Sequence, residues 1–146
     1  MDENLKSVIL KRINRVSEGL QKNNMEFYYA ETKEDVPGIV ESLLNEGDIV
    51  SSGGSMTLKQ CGVIDLLKSN KYKYLDRDAV GIDSIDQLYR ASFSADAYLS
   101  SANAITENGE LYNVDGNSNR IAAIAFGPKS VIIVAGYNKI VKDIYE

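Results

Sequence analysis

Two stretches hold the polar residues that a site would need. The first, SSGGSMTLKQCG at positions 51 to 62, sets Ser52, Gly53, Gly54, Ser55, Met56 and Thr57 ahead of an apolar run. Thr57 and Gln60 match a capping box, which predicts a helix starting near Leu58 with two glycines just before it. A strand, a glycine-rich turn and a helix start leave backbone N–H groups free to hold a phosphate or carboxylate. The motif is neither a Walker A loop nor the three-glycine dinucleotide fingerprint, and a plain turn with two glycines is its bland alternative. The second stretch, SSANAITENGELYNVDGNSNR at positions 100 to 120, supplies Ser101, Asn103, Asn113, Gly116, Asn119 and Arg120 as binding groups. Its carboxylates Glu107 and Asp115, with Asp76 on a neighbouring loop, are the candidate general acids, bases or nucleophiles. Asn108-Gly109 is a strong hairpin signal and predicts an antiparallel hairpin of residues 104 to 106 and 110 to 114, turned by a type I′ loop. The same residues also suit a hairpin that merely caps a sheet edge.

Composition narrows the chemistry. The 146 residues contain no His and one Cys, which removes the usual general base, the Ser-His-Asp triad and the commonest metal ligand. No metal site and no intrinsic cofactor are expected, and Cys61, beside Leu58 and Val63, reads as a small core residue. A net charge of -5 opposes nucleic-acid binding. No apolar run approaches the roughly 20 residues that would cross a bilayer, so no membrane partner is expected. The first residues, MDENLKSVILKRINR, lack a signal core and show amphipathic spacing, so a cytoplasmic location is expected. Tyr28, Tyr72 and Tyr89 are either anchors for a homodimer or covers over the core.

The elements that must position these residues follow from periodicity. Leu5, Val8, Ile9, Ile13, Val16 and Leu20 predict a helix over residues 4 to 21. Residues 25 to 30 read as a first strand. Thr32 and Asp35 cap a helix with Pro37 in its first turn, and it stops at Gly47. Strands are expected over residues 48 to 51, 72 to 75, 97 to 100 and 130 to 135, the last as the most buried. Helices are expected over 63 to 67, 84 to 93 and 121 to 125, with a closing helix over 138 to 145. Alternating strands and helices predict one α/β domain over residues 1 to 146, a three-layer open and mostly parallel sheet with a Rossmann-like core. Ligands of such sheets bind beyond the carboxyl ends of the strands, where Asn138 and Lys139 would join the two polar stretches.

Three motifs carry a family resemblance: GGSMT at Gly53, SANAITENGELYNVDGNSNRIAA at Ser101 and FGPKSVIIVAGYNKIV at Phe126. In order and spacing they resemble the LUD, or lactate-utilisation, domain family. That family sits in a fold group with ribose-phosphate isomerase, class I CoA transferases and the initiation factor 2B regulatory subunits. The resemblance implies a small carboxylate or phosphorylated metabolite as ligand, a part in oxidation of L-lactate to pyruvate, and iron-sulfur partner subunits. It also implies alternatives. TENG at Thr106 is similar to the CoA-transferase stretch whose glutamate attacks a thioester, which makes Glu107 a candidate nucleophile. Asn103 stands where the methylthioribose-phosphate isomerases have an acid/base Asp, and an amide cannot shuttle a proton. A stand-alone isomerase or transferase and an interaction subunit for an iron-sulfur oxidoreductase are therefore the other readings.

Overall fold

The computed structural model describes residues 1–146. Six helices alternate with seven strands. The helices are α1 (Glu3–Lys22), α2 (Val36–Leu43), α3 (Met56–Gln60), α4 (Val63–Lys68), α5 (Ile82–Ser92) and α6 (Asn119–Ala125). The strands are β1 (Ile49–Ser52), β2 (Lys73–Leu75), β3 (Ala97–Ser100), β4 (Ala104–Thr106), β5 (Leu111–Tyr112), β6 (Ser130–Ile133) and β7 (Ile140–Val141). The backbone contacts divide the chain into two units, one of residues 1–29, 102–114 and 135–146, the other of residues 30–101 and 115–134.

The second unit holds a four-stranded sheet in the order β2-β1-β3-β6, with every pair parallel. Strand residues alternate between faces, and β1 shows both. Val50 belongs to a fully apolar cluster with Val40 and Leu44 before it and Val63 and Leu67 of α4. Ser51, one residue on, meets Ser92 at the end of α5, with 2.6 Å between their hydroxyl oxygens. Helices therefore cover both faces, which gives the three layers of a mostly parallel Rossmann-like α/β sheet. All four residues of β3 are buried. β6 was expected to be the most buried strand, but it lies at the edge of the sheet and is only half covered. Its apolar run marks a strand without saying where in the sheet that strand sits.

Local signals explain most boundaries. The Asp35 carboxylate accepts from the Thr32 N–H at 3.1 Å and from its hydroxyl at 2.9 Å, and Pro37 falls in the first turn of α2 as expected. The start of α3 is set by Ser55 rather than Thr57: the Ser55 hydroxyl accepts from the Leu58 N–H at 3.2 Å. Gly62, at φ 77°, ends that single turn and begins α4. Cys61 packs against the apolar cluster, and burial pushes its thiol above the usual range. Asp96 ties the lower end of the sheet, accepting from the Ile49 N–H at 2.9 Å and from Lys129 Nζ at 3.0 Å. Those bonds, the Ile49 one first, hold its carboxyl below the usual range.

The first unit is a three-stranded sheet, β5-β4-β7, packed with α1. β4 and β5 form the expected hairpin, but its turn differs from the expected type. Only Gly109 has positive φ, at 82°, and its N–H donates to the Thr106 carbonyl at 3.0 Å. That is the three-residue loop with a left-handed glycine rather than type I′. Two sequence expectations fail here. Residues 25 to 30 form no strand, since aromatic β-propensity needs a partner strand and none pairs with them. Residues 138 to 145 form no helix: a 3-10 turn, Tyr137–Lys139, leads into β7, whose β-branched Ile140 and Val141 pair with Ile105 and Thr106 of β4. Glu107 then locks the hairpin to α1, accepting from Arg12 Nε at 2.9 Å and Arg15 Nη1 at 3.1 Å. These bonds, Arg12 first, hold its carboxyl below the usual range.

Two expected outcomes follow. A Cβ on Gly19 would lie 2.5 Å from the backbone carbon of Asn108, and backbone cannot step aside. Gly19→Ala, which would stabilise an open helix, should therefore destabilise this one by about 1–3 kcal/mol in urea unfolding; a stabilised variant would refute that contact. Glu107 and Asp96 have folded pKa values below those of the unfolded chain. The unfolded chain therefore takes up protons first as pH falls, and stability present above about pH 4 is lost below it. The melting temperature should fall steeply in that range, and less steeply in Glu107→Gln; parallel curves would exclude Glu107 as a contributor.

Candidate functional site

The strand order brings the candidate residues together. β1 connects to β2 on one side and β3 to β6 on the other, so the crossovers leaving β1 and β3 run in opposite directions and their carboxyl ends form a switch point. Such switch points are where open α/β sheets bind ligands. The chain leaving β1 is Gly53-Gly54-Ser55, and the chain leaving β3 is Ser101. Gly53 stays anchored to the sheet, its N–H donating to the Leu99 carbonyl at 2.9 Å.

Side chains crowd both glycines. A Cβ on Gly53 would lie 3.1 Å from Ser100 Oγ, 3.1 Å from Tyr98 Oη and 3.2 Å from Arg120 Cδ. One on Gly54 would lie 3.0 Å from Arg77 Nη1. Two guanidinium groups thus close on the turn, in different electrostatic states. Arg120 Nε donates to Asp115 Oδ1 at 2.9 Å, and both side chains are nearly covered, at 14% and 12% exposure. Asp115 Oδ2 also accepts from the Ile121 N–H at 2.7 Å, so the same carboxylate caps α6 and neutralises Arg120. The positive φ in this loop falls on Ser118, at 60°, and not on Gly116. Arg77 has no carboxylate partner. Asp76 and Asp78 on either side of it point to Lys68 and Lys59, at 3.6 Å each, while Arg77 Nη2 donates to Tyr89 Oη at 3.1 Å and its guanidinium lies 5.6 Å from the Tyr89 ring centre.

Donors gather at the same place. The Leu58 N–H is held by Ser55, whereas the N–H groups of Gly54, Ser55, Met56 and Thr57 make no hydrogen bond within the chain. α3 is a single turn, so what it offers is these amides and little macrodipole. Ser52 is occupied, its hydroxyl 2.7 Å from Tyr74 Oη. Ser101 presents its carbonyl to Ser100 Oγ at 3.0 Å and to Arg120 Nη1 at 3.4 Å, while its own buried hydroxyl has no partner. Tyr98 is 3% exposed, and no group of the chain hydrogen-bonds its hydroxyl. Burial, and then the charge of Asp115, push its phenol up to about 12 against the opposing pull of Arg77 and Arg120. The phenol oxygen itself keeps access to solvent; the buried hydroxyl without a partner here is that of Ser101, and such a group costs about 1–3 kcal/mol.

Ser52, Gly53, Gly54, Ser55, Met56, Thr57, Ser101, Asp115, Gly116, Asn119, Arg120 and Asp76 all belong to the second unit. Glu107, Asn103, Asn113, Asn138 and Lys139 belong to the first. There Asn103 Oδ1 accepts from the Val114 N–H at 3.0 Å, fastening the loop after the hairpin, and Asn113 Oδ1 is buried without a partner. Sequence reasoning missed Arg77 and Tyr98. Arg77 sits in Asp-Arg-Asp, which resembles any solvated loop. Tyr98 lies in a strand of small and apolar residues, where a phenol needs a partner that the sequence does not identify.

No curated protein matches this chain. A family model, LUD domain, matches residues 13–146, spanning all three sequence motifs and every strand of both sheets. With a parallel α/β sheet whose GGSMT turn lies at the switch point, a match of this extent means that the chain belongs to the LUD domain family, which is associated with lactate utilisation.

Proposed function

We propose that this protein binds a small anionic metabolite, a carboxylate or phosphate, at the Gly54 turn, as a component of L-lactate or other organic-acid utilisation. The observation that carries the reading is one cation without a carboxylate partner, Arg77, set 3.0 Å from the Cβ position of Gly54 beside four uncommitted backbone donors. A guanidinium and backbone N–H groups together match a carboxylate or phosphate in charge and in donor geometry. The Asp115–Arg120 pair contributes shape and no net charge. With one Cys and no His in the chain, the electron carriers of a lactate-oxidising system would belong to iron-sulfur partner subunits.

Calorimetric titration with lactate, pyruvate and inorganic phosphate tests this reading. Binding should be saturable for at least one of them. Gly54→Asp should abolish it, because the new carboxylate would occupy Arg77 itself, and Arg77→Ala should weaken it about tenfold or more. Absence of binding to all three, or binding untouched by Gly54→Asp, would overturn the reading.

A further inference from the structure

We propose that Tyr98 is a ligand-contacting residue whose hydroxyl donates a hydrogen bond to an oxygen of the anion held at Gly54 and Arg77. The proposal rests on the anion-binding reading above and adds a selective contact to it. Three polar groups face the open side of Gly53: Ser100 Oγ, Tyr98 Oη and the Arg120 side chain. Two are already committed. Ser100 Oγ donates to the Ser101 carbonyl, and Arg120 is paired with Asp115. Of the three, only the phenol has no hydrogen-bond partner in the chain: its ring is covered, while its oxygen reaches the open side of the turn.

Its surroundings fix which partner it needs. The hydroxyl stays protonated across the physiological range, so it is a donor facing a site whose other members, the amides of residues 54 to 57 and the Arg77 guanidinium, are donors too. With the Asp115 carboxylate taken up by Arg120 and the Ile121 N–H, donors dominate the turn, which asks for a ligand rich in acceptor oxygens, the chemistry carboxylate and phosphate share. Gly53 keeps that hydroxyl open, since even a methyl group there would lie 3.1 Å from Oη.

Tyr98→Phe separates this role from a structural one. The ring that fills the core is kept and only an oxygen without a partner in the chain is removed, so the unliganded variant should melt close to the wild-type temperature. Its affinity for whichever of lactate, pyruvate or phosphate the wild type binds should fall about tenfold, and the melting shift that this anion produces should shrink with it. Wild-type affinity in Tyr98→Phe would overturn the contact while leaving the anion site intact. A variant that melts much lower without anion would overturn it as well, because the hydroxyl would then have a partner inside the protein. If the wild type binds none of the three probes, the underlying reading and this contact fail together.

Discussion

The pairing of β1 with strands on both its sides is the constraint from which the rest follows. Because β1 pairs with β2 through residues 49 to 51 and with β3 through residues 50 to 52, its carboxyl end is also the point where the crossovers diverge. The segment leaving that end stays beside β3 for one more residue, because the Gly53 N–H donates to the Leu99 carbonyl. Two glycines are the consequence. Tyr98 and Ser100 rise from β3 toward Gly53 and Arg77 reaches over Gly54 from the end of β2, so any side chain at these positions would have to push them aside.

The electrostatics of the turn come from side chains more than from a helix. A five-residue α3 offers amides but almost no dipole. Arg120 is nearly buried, and Asp115 compensates it as such burial requires. Arg77 is different: its flanking aspartates turn outward to lysines, and its only direct partners are the hydroxyl and ring of Tyr89. The pairing of Glu107 with Arg12 and Arg15 shows the other use this chain makes of charge, as a brace between the hairpin turn and α1.

Much of this was legible in the sequence, because local rules decide it. The strand from Ala97 to Ser100, the hairpin at Asn108-Gly109 and the Thr32 and Asp35 cap all follow from periodicity or turn chemistry. What was not legible depends on partners distant in sequence. The aromatic run after α1 had strand propensity but no strand beside it. Ile140 and Val141 suited a helix face equally well until β4 offered them an edge. The edge position of β6 and the switch point are properties of strand order, which a single strand's residues do not encode. The site was half visible on the same grounds: its glycines announce themselves, whereas Arg77 and Tyr98 matter only because of what lies opposite them.

Anion binding at the turn after β1, as proposed, has one rival place on the surface, the arginine-lined cleft of about 450 Å³ formed by Val8, Arg12, Arg15, Glu107, Lys142 and Glu146 in the first unit. Backbone amide NMR shifts recorded during titration with lactate and phosphate distinguish the two most directly. The largest changes should fall on the backbone N–H groups of Gly54, Ser55, Met56, Thr57 and Arg77. Changes centred instead on Arg12, Arg15 and Lys142, or none at the glycine turn, would contradict binding there.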